Sequence, residues 1–311
     1  MQEKRNKRLA VIFAALCCIT AATYFFGLSD GTVEVDKNLF KDLDFKEIDQ
    51  VTLASKQGTV VLKFNGSKWT VNEQFNADAS MIQILFATLE QAEPKRPVSP
   101  SIRDSVRNLL KADGVQVSLF SSGNEEMNFF AGGNEKKTQA FFCTDDEDAT
   151  PYIMNIPGYR VYVSGIFEVP ENDWKDKLVF GFNWRNFESL EAAFPESQDQ
   201  NFKMSLQDNY FGIEGMTSID TARLNEFLDD VSLLTATAFV QEPVFKDSLS
   251  KPPALMSIAV RDIAQRTYIL ELYRPVGTAQ QIPGLINNQQ WAFFDPEKVH
   301  EILRKRSFFS K

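Results

Sequence analysis

Hydrophobic positions along the chain fall into three kinds of pattern. From Leu9 to Leu28 the residues are apolar or uncharged without a break, and four cations (Lys4, Arg5, Lys7, Arg8) precede them. Beyond that run the pattern turns periodic. Val60, Leu62 and Phe64 alternate with polar neighbours, Asn65-Gly66-Ser67 supplies turn residues, and Trp69 and Val71 alternate again, which predicts a β-hairpin. Asp78 then stands as a helix cap before Met81, Ile82, Leu85, Phe86 and Leu89, whose spacing puts them on one helical face that ends before Pro94.

Adding 142 to these numbers regenerates the pattern. Leu62, Phe64, Trp69 and Val71 become Met204, Leu206, Phe211 and Ile213, and Asp78 becomes Asp220. Ile82, Leu85, Phe86 and Leu89 become Leu224, Phe227, Leu228 and Val231, and Val98 becomes Val240. At an offset of 141, Val115, Val117 and Leu119 match Met256, Ile258 and Val260, while Met127 and Phe129 match Tyr268 and Leu270. At 130, Val161, Val163 and Val169 match Trp291, Phe293 and Val299, which leaves the first copy about a dozen residues longer and places Cys143 and the acidic run from Asp145 to Asp148 on an inserted loop. Lys37 to Phe40, Lys177 to Phe180 and Arg306 to Phe309 read as one junction met three times.

Together these patterns predict an α+β fold: an N-terminal transmembrane helix, then two tandem repeated modules of antiparallel β-hairpins packed on a helix. The divisions are a basic tail at 1–8, a span at 9–28, a linker at 29–36, module one at 37–179 and module two at 180–311. Twenty residues at 1.5 Å each cover about 30 Å, the thickness of a bilayer core. Cations before the run and Asp30, Glu34 and Asp36 after it predict a single-pass protein of the bacterial inner membrane, N-terminus cytoplasmic and body periplasmic. Two alternatives stay open: a signal peptide cut after Thr20-Ala21-Ala22, and a lipoprotein acylated at Cys17 or Cys18.

Charge narrows the partners. Lys and Arg total 33 against 42 Asp and Glu, a net charge of −9 that disfavours nucleic acid. Chemistry is sparse: there is one His and there are three Cys, too few for zinc sites or a disulfide framework. No GxSxG, HExxH, CxxC or Walker spacing occurs, so the reading is non-enzymatic, without catalytic residues or cofactor. His300 reads as a solvated helix residue and Gly132-Gly133-Asn134 as a turn. Asp145, Asp146 and Asp148 are the calcium candidates, although they lack the spaced ligand pattern of a dedicated loop. Trp174 and Trp184 read as core, and Arg304-Lys305-Arg306 as a complement to a helix dipole.

The succession Ile48 to Leu53, Gly58 to Leu62, Gly66-Ser67-Lys68-Trp69-Thr70-Val71 and Ala77-Asp78, with Trp174 to Val179 as a module end, resembles domain-of-unknown-function family 4340 of bacterial envelopes. That family's Tyr-Gly-Leu segment before the second hairpin is here Leu110 to Gly114. The resemblance implies an accessory or scaffold subunit of an envelope complex, with subunits of an ABC-type transporter as partners and no catalytic residues. A periplasmic small-ligand receptor, or a hydrolase whose carboxylates converge from distant segments, is the alternative.

Overall fold

The computed structural model describes residues 2–27, 35–146, 148–207, 210–240, 244–245, 251–275 and 280–311. After helix α1 (Gln2–Gly27) the first sheet is formed by β1 (Gln50–Ser55), β2 (Gly58–Phe64), β3 (Trp69–Val71), β4 (Phe75–Asn76), β5 (Glu93–Pro97), β6 (Val115–Ser121), β7 (Asn124–Gly133), β8 (Ala140–Thr144) and β9 (Tyr152–Asn155). Its order is β4-β3-β2-β1-β6-β7-β8-β9-β5. The second sheet contains β10 (Phe187–Ala193), β11 (Phe202–Gln207), β12 (Tyr210–Ile213), β13 (Ala238–Val240), β14 (Met256–Asp262), β15 (Thr267–Leu272), β16 (Ile282–Ile286) and β17 (Gln290–Phe294), ordered β12-β11-β10-β14-β15-β16-β17-β13.

This corrects the expected α+β class. The protein is mostly two large antiparallel sheets, of nine and eight strands among the described residues, with few helices. The hairpins do not pack separately on helices because their edges join: β1 pairs with β2 on one side and β6 on the other, and β10 does the same with β11 and β14. Each such pairing satisfies backbone groups that a lone hairpin would leave open. Helix α2 (Ala79–Gln91) lies on the inner face of the first sheet, where Ile82, Leu85 and Leu89 share a core with Val51, Leu62, Val117 and Phe129. A further helix, α3 (Arg103–Asp113), covers part of the opposite face through Val106 and Leu110, which pack with Phe141 and Cys143. In the second half α5 (Thr221–Ser232) takes the place of α2, presenting Leu224, Phe227, Leu228 and Val231 to its core. Two short helices, α4 (Glu171–Trp174) and α6 (Pro296–Ile302), close the two halves.

Apart from β4, the two sheets have one strand order. Registers agree as well: Leu62 faces Val71 as Met204 faces Ile213, and Val117 faces Phe129 as Ile258 faces Leu270. Near the end the expected offset of 130 gives way. Phe142 faces Tyr152 as Gly284 faces Ala292, so β9 corresponds to β17 at an offset of 140, and Val163 lies in a 3-10 turn beyond the sheet. Cys143 therefore sits within strand β8, buried, rather than on an inserted loop.

Among the described residues no helix is long and apolar enough to cross a membrane. The expected transmembrane, signal-anchor span from Leu9 to Leu28, and the single-pass inner-membrane placement with a periplasmic body, are corrected accordingly. Leu28, residues 29–34 of the expected linker and Glu147 lie outside the described residues.

Between the halves, Lys175 is buried, at 4 % exposure. Its Nζ lies 2.9 Å from Glu171 Oε1, donates to Asn172 Oδ1 at 2.8 Å and to Gln290 Oε1 of the second sheet at 3.5 Å, and stands 4.0 Å from the centre of the Phe75 ring of the first. Leu178 forms an antiparallel bridge with Thr235 just beyond it.

Candidate functional site

The residues singled out by the sequence do not converge. Asp145 Oδ1 lies 3.6 Å from Lys111 Nζ, and Asp146 Oδ2 accepts from the Thr144 hydroxyl at 3.0 Å, while Asp148 follows on the same β8–β9 loop. Among the described residues no three Asp, Glu, His or Cys side chains gather as metal ligands. His300 is exposed on α6. Cys143 Sγ points to the Ala149 carbonyl at 3.8 Å, and burial pushes its thiol pKa up, away from nucleophile chemistry. Gly132 and Gly133 are the last two residues of strand β7, and the Gly132 carbonyl accepts from the Ser164 hydroxyl at 2.6 Å. The basic knot is engaged internally: Arg304 bonds Glu301 and stands 4.8 Å over the Phe308 ring, and Arg306 Nη2 donates to the Glu214 carbonyl at 3.0 Å.

Two carboxylates from distant segments do meet in the groove between α5 and α6. Burial, then the charges of Glu301 and Glu226, raise the Asp230 pKa, while Arg304 beside it pulls the other way. Glu301 is held by Arg304, so the pair is a charge network and offers no free base opposite a nucleophile.

A different cleft, of about 470 Å³, opens at the edge of the second sheet. It is lined by Trp184, Tyr210 and Phe211 on one side and by Thr221, Asn225 and Asp229 of α5 on the other. Positions 221, 225 and 229 recur every four residues and so share one helical face, beside the stripe that buries Leu224, Phe227 and Leu228. Trp184 leans on Phe211, with ring centres 5.1 Å apart, and Phe211 meets the buried Phe187 edge-on at 5.4 Å. Tyr210 is 77 % exposed and Trp184 46 %, which corrects the reading of Trp184 as core. Among the described residues no side chain bonds or pairs with the carboxylate of Asp229.

The first half differs at the positions that line this cleft. There Trp69 stands where Phe211 does and packs on Phe86 at 5.3 Å; the counterpart of Phe86 is the smaller, fully buried Leu228. The outer edge differs too. In the first half Asn72 and Glu73, both at positive φ, turn the chain so that β4 pairs with β3, and Ala77 donates to the Trp69 carbonyl at 2.9 Å. In the second half Gly215, at φ 71°, is the positive-φ residue of the turn, and residues 217–218 do not pair with β12. Alternation along an antiparallel ladder aims the Phe211 amide and carbonyl outward, as it does for Trp69. The sequence does hold one signal: of the adjacent Tyr210 and Phe211, strand alternation must turn one outward.

No protein-family model matches the chain and no curated protein is similar to it, so no family is assigned.

Proposed function

We propose that this protein is a non-enzymatic binding module that docks an extended segment of a partner protein along the open edge of β12. The observation that carries this reading is the contrast between the two halves: Phe75–Asn76 cover this edge in the first sheet, whereas among the described residues no strand covers it in the second. An added strand would find the Phe211 amide and carbonyl waiting for hydrogen bonds, and a cleft beside them for one of its side chains. On the family resemblance, the segment belongs to a subunit of an ABC-type transporter complex.

Hydrogen exchange tests the docking. With a saturating extended decapeptide of alternating valine and threonine, exchange at the Phe211 amide is expected to slow by at least about tenfold, as for an amide entering a ladder. Unchanged exchange at Phe211 while the peptide is bound would overturn edge docking.

A further inference from the structure

We propose that the cleft beside β12 receives a cationic side chain, lysine or arginine, from the docked segment; this rests on the edge-docking reading above. The lining residues carry one formal charge, the carboxylate of Asp229, and that charge has no bonding partner among the described residues. Opposite it stand the rings of Trp184, Tyr210 and Phe211. Aromatic faces attract cations through their quadrupole, with Trp and Tyr the strongest, and a nearby carboxylate adds a charge-assisted hydrogen bond. An apolar guest would satisfy the rings but would leave Asp229, Asn225 and Thr221 desolvated and unpaired. An anionic guest would meet Asp229 directly, and Glu226 and Asp230 on neighbouring positions of α5 strengthen that repulsion.

The protein itself uses the same chemistry elsewhere. Lys175 lies 4.0 Å from the Phe75 ring centre beside Glu171, and Arg223 and Arg304 stand 5.2 and 4.8 Å from that of Phe308. Among the described residues the cleft presents the rings and the acid of such a site without the cation. Its position sets the register: a side chain entering it comes from a residue placed opposite Phe211, on the face of the added strand turned toward α5.

The test uses the full chain and a set of valine–threonine decapeptides that differ only in the central residue: lysine, arginine, norleucine or glutamate. Binding is measured by isothermal titration at low and moderate salt. The lysine and arginine peptides are expected to bind about tenfold more tightly than norleucine, with the advantage shrinking as salt rises. Asp229→Asn and Tyr210→Ala, both at exposed positions, should remove that advantage while leaving norleucine binding in place. Equal binding of lysine and norleucine peptides overturns the cationic preference. A lysine peptide methylated on alternate backbone nitrogens separates the two claims: unaltered affinity in both methylation registers overturns edge docking and leaves the cation site standing. Binding of none of the peptides at millimolar concentration overturns both.

Discussion

Trp174 and Phe309 hold the same place in the two halves of the molecule. Both are fully buried, and the carbonyl of each accepts the amide of the aspartate that caps a core helix: Asp78 at 2.8 Å for Trp174, Asp220 at 2.9 Å for Phe309. The sequence suggested otherwise, matching Phe309 with Phe40 and Phe180 at the end of a recurring junction. The offset between the halves falls from 142 at the caps to 135 here, so the second half is shorter by about seven residues rather than a dozen. Phe309 packs edge-on against Phe202 and Phe227, at 5.2 and 5.3 Å. Phe309→Ala should cost about 3–5 kcal/mol of stability, as for large aromatic truncations in a core. Urea unfolding measures this, and a loss under about 1 kcal/mol would show that the C-terminal segment is a passive tail.

Lys175 gives a second expectation. Its ammonium is buried between Glu171, Asn172 and Gln290, so removing it leaves the Glu171 carboxylate, about one third exposed, without its partner. Lys175→Met should destabilise by about 2–3 kcal/mol, below the range for fully buried pairs because Glu171 keeps some water. It should also split one unfolding transition into two, since Lys175 bonds across both halves. Calorimetry would show a single unbroken peak if this contact does not couple them.

Thiol chemistry offers a third check. Cys143 is 1 % exposed with a raised pKa, whereas Cys17 and Cys18 are exposed on α1. Ellman's reagent should titrate two thiols in the native protein and the third only after unfolding. Rapid reaction of all three would place Cys143 outside the sheet.

Asp230 provides the pH dependence. Its folded pKa is raised by burial, then by Glu301 and Glu226, so ionising it costs folding energy at neutral pH, and that cost disappears as pH falls below the ordinary carboxylate pKa. Asp230→Asn should therefore stabilise the protein at pH 7 by about 0.5 kcal/mol, a figure kept small by solvent screening. The gain should fade toward about pH 4. A gain that grows on acidification would reverse the assigned sign.

Local structure was legible wherever side-chain periodicity decided it. The alternation of Leu62 and Phe64 with Trp69 and Val71 defines a hairpin, and Asp78, Asp220 and Asp295 each accept amides at the start of a helix. The assembly of hairpins into continuous sheets was not legible. Alternation tells which face of β1 is buried but not that its second edge will pair with β6, more than sixty residues away. Nor was the cleft legible: it requires Trp184 from the turn before β10 to lean on Phe211 and three exposed polar residues of α5 to face it, relations that no local period records.

The turn at Gly215 carries a kinetic consequence. In the first half any strand seeking the outer edge of β3 must first peel away Phe75 and Asn76, so its arrival would wait on local opening. At β12 the chain has already been steered aside, and an incoming segment displaces no strand of the described chain. Docking of the proposed segment at that edge would thus be governed by the rate of encounter, and the lifetime of its complex by how firmly the cleft held its side chain.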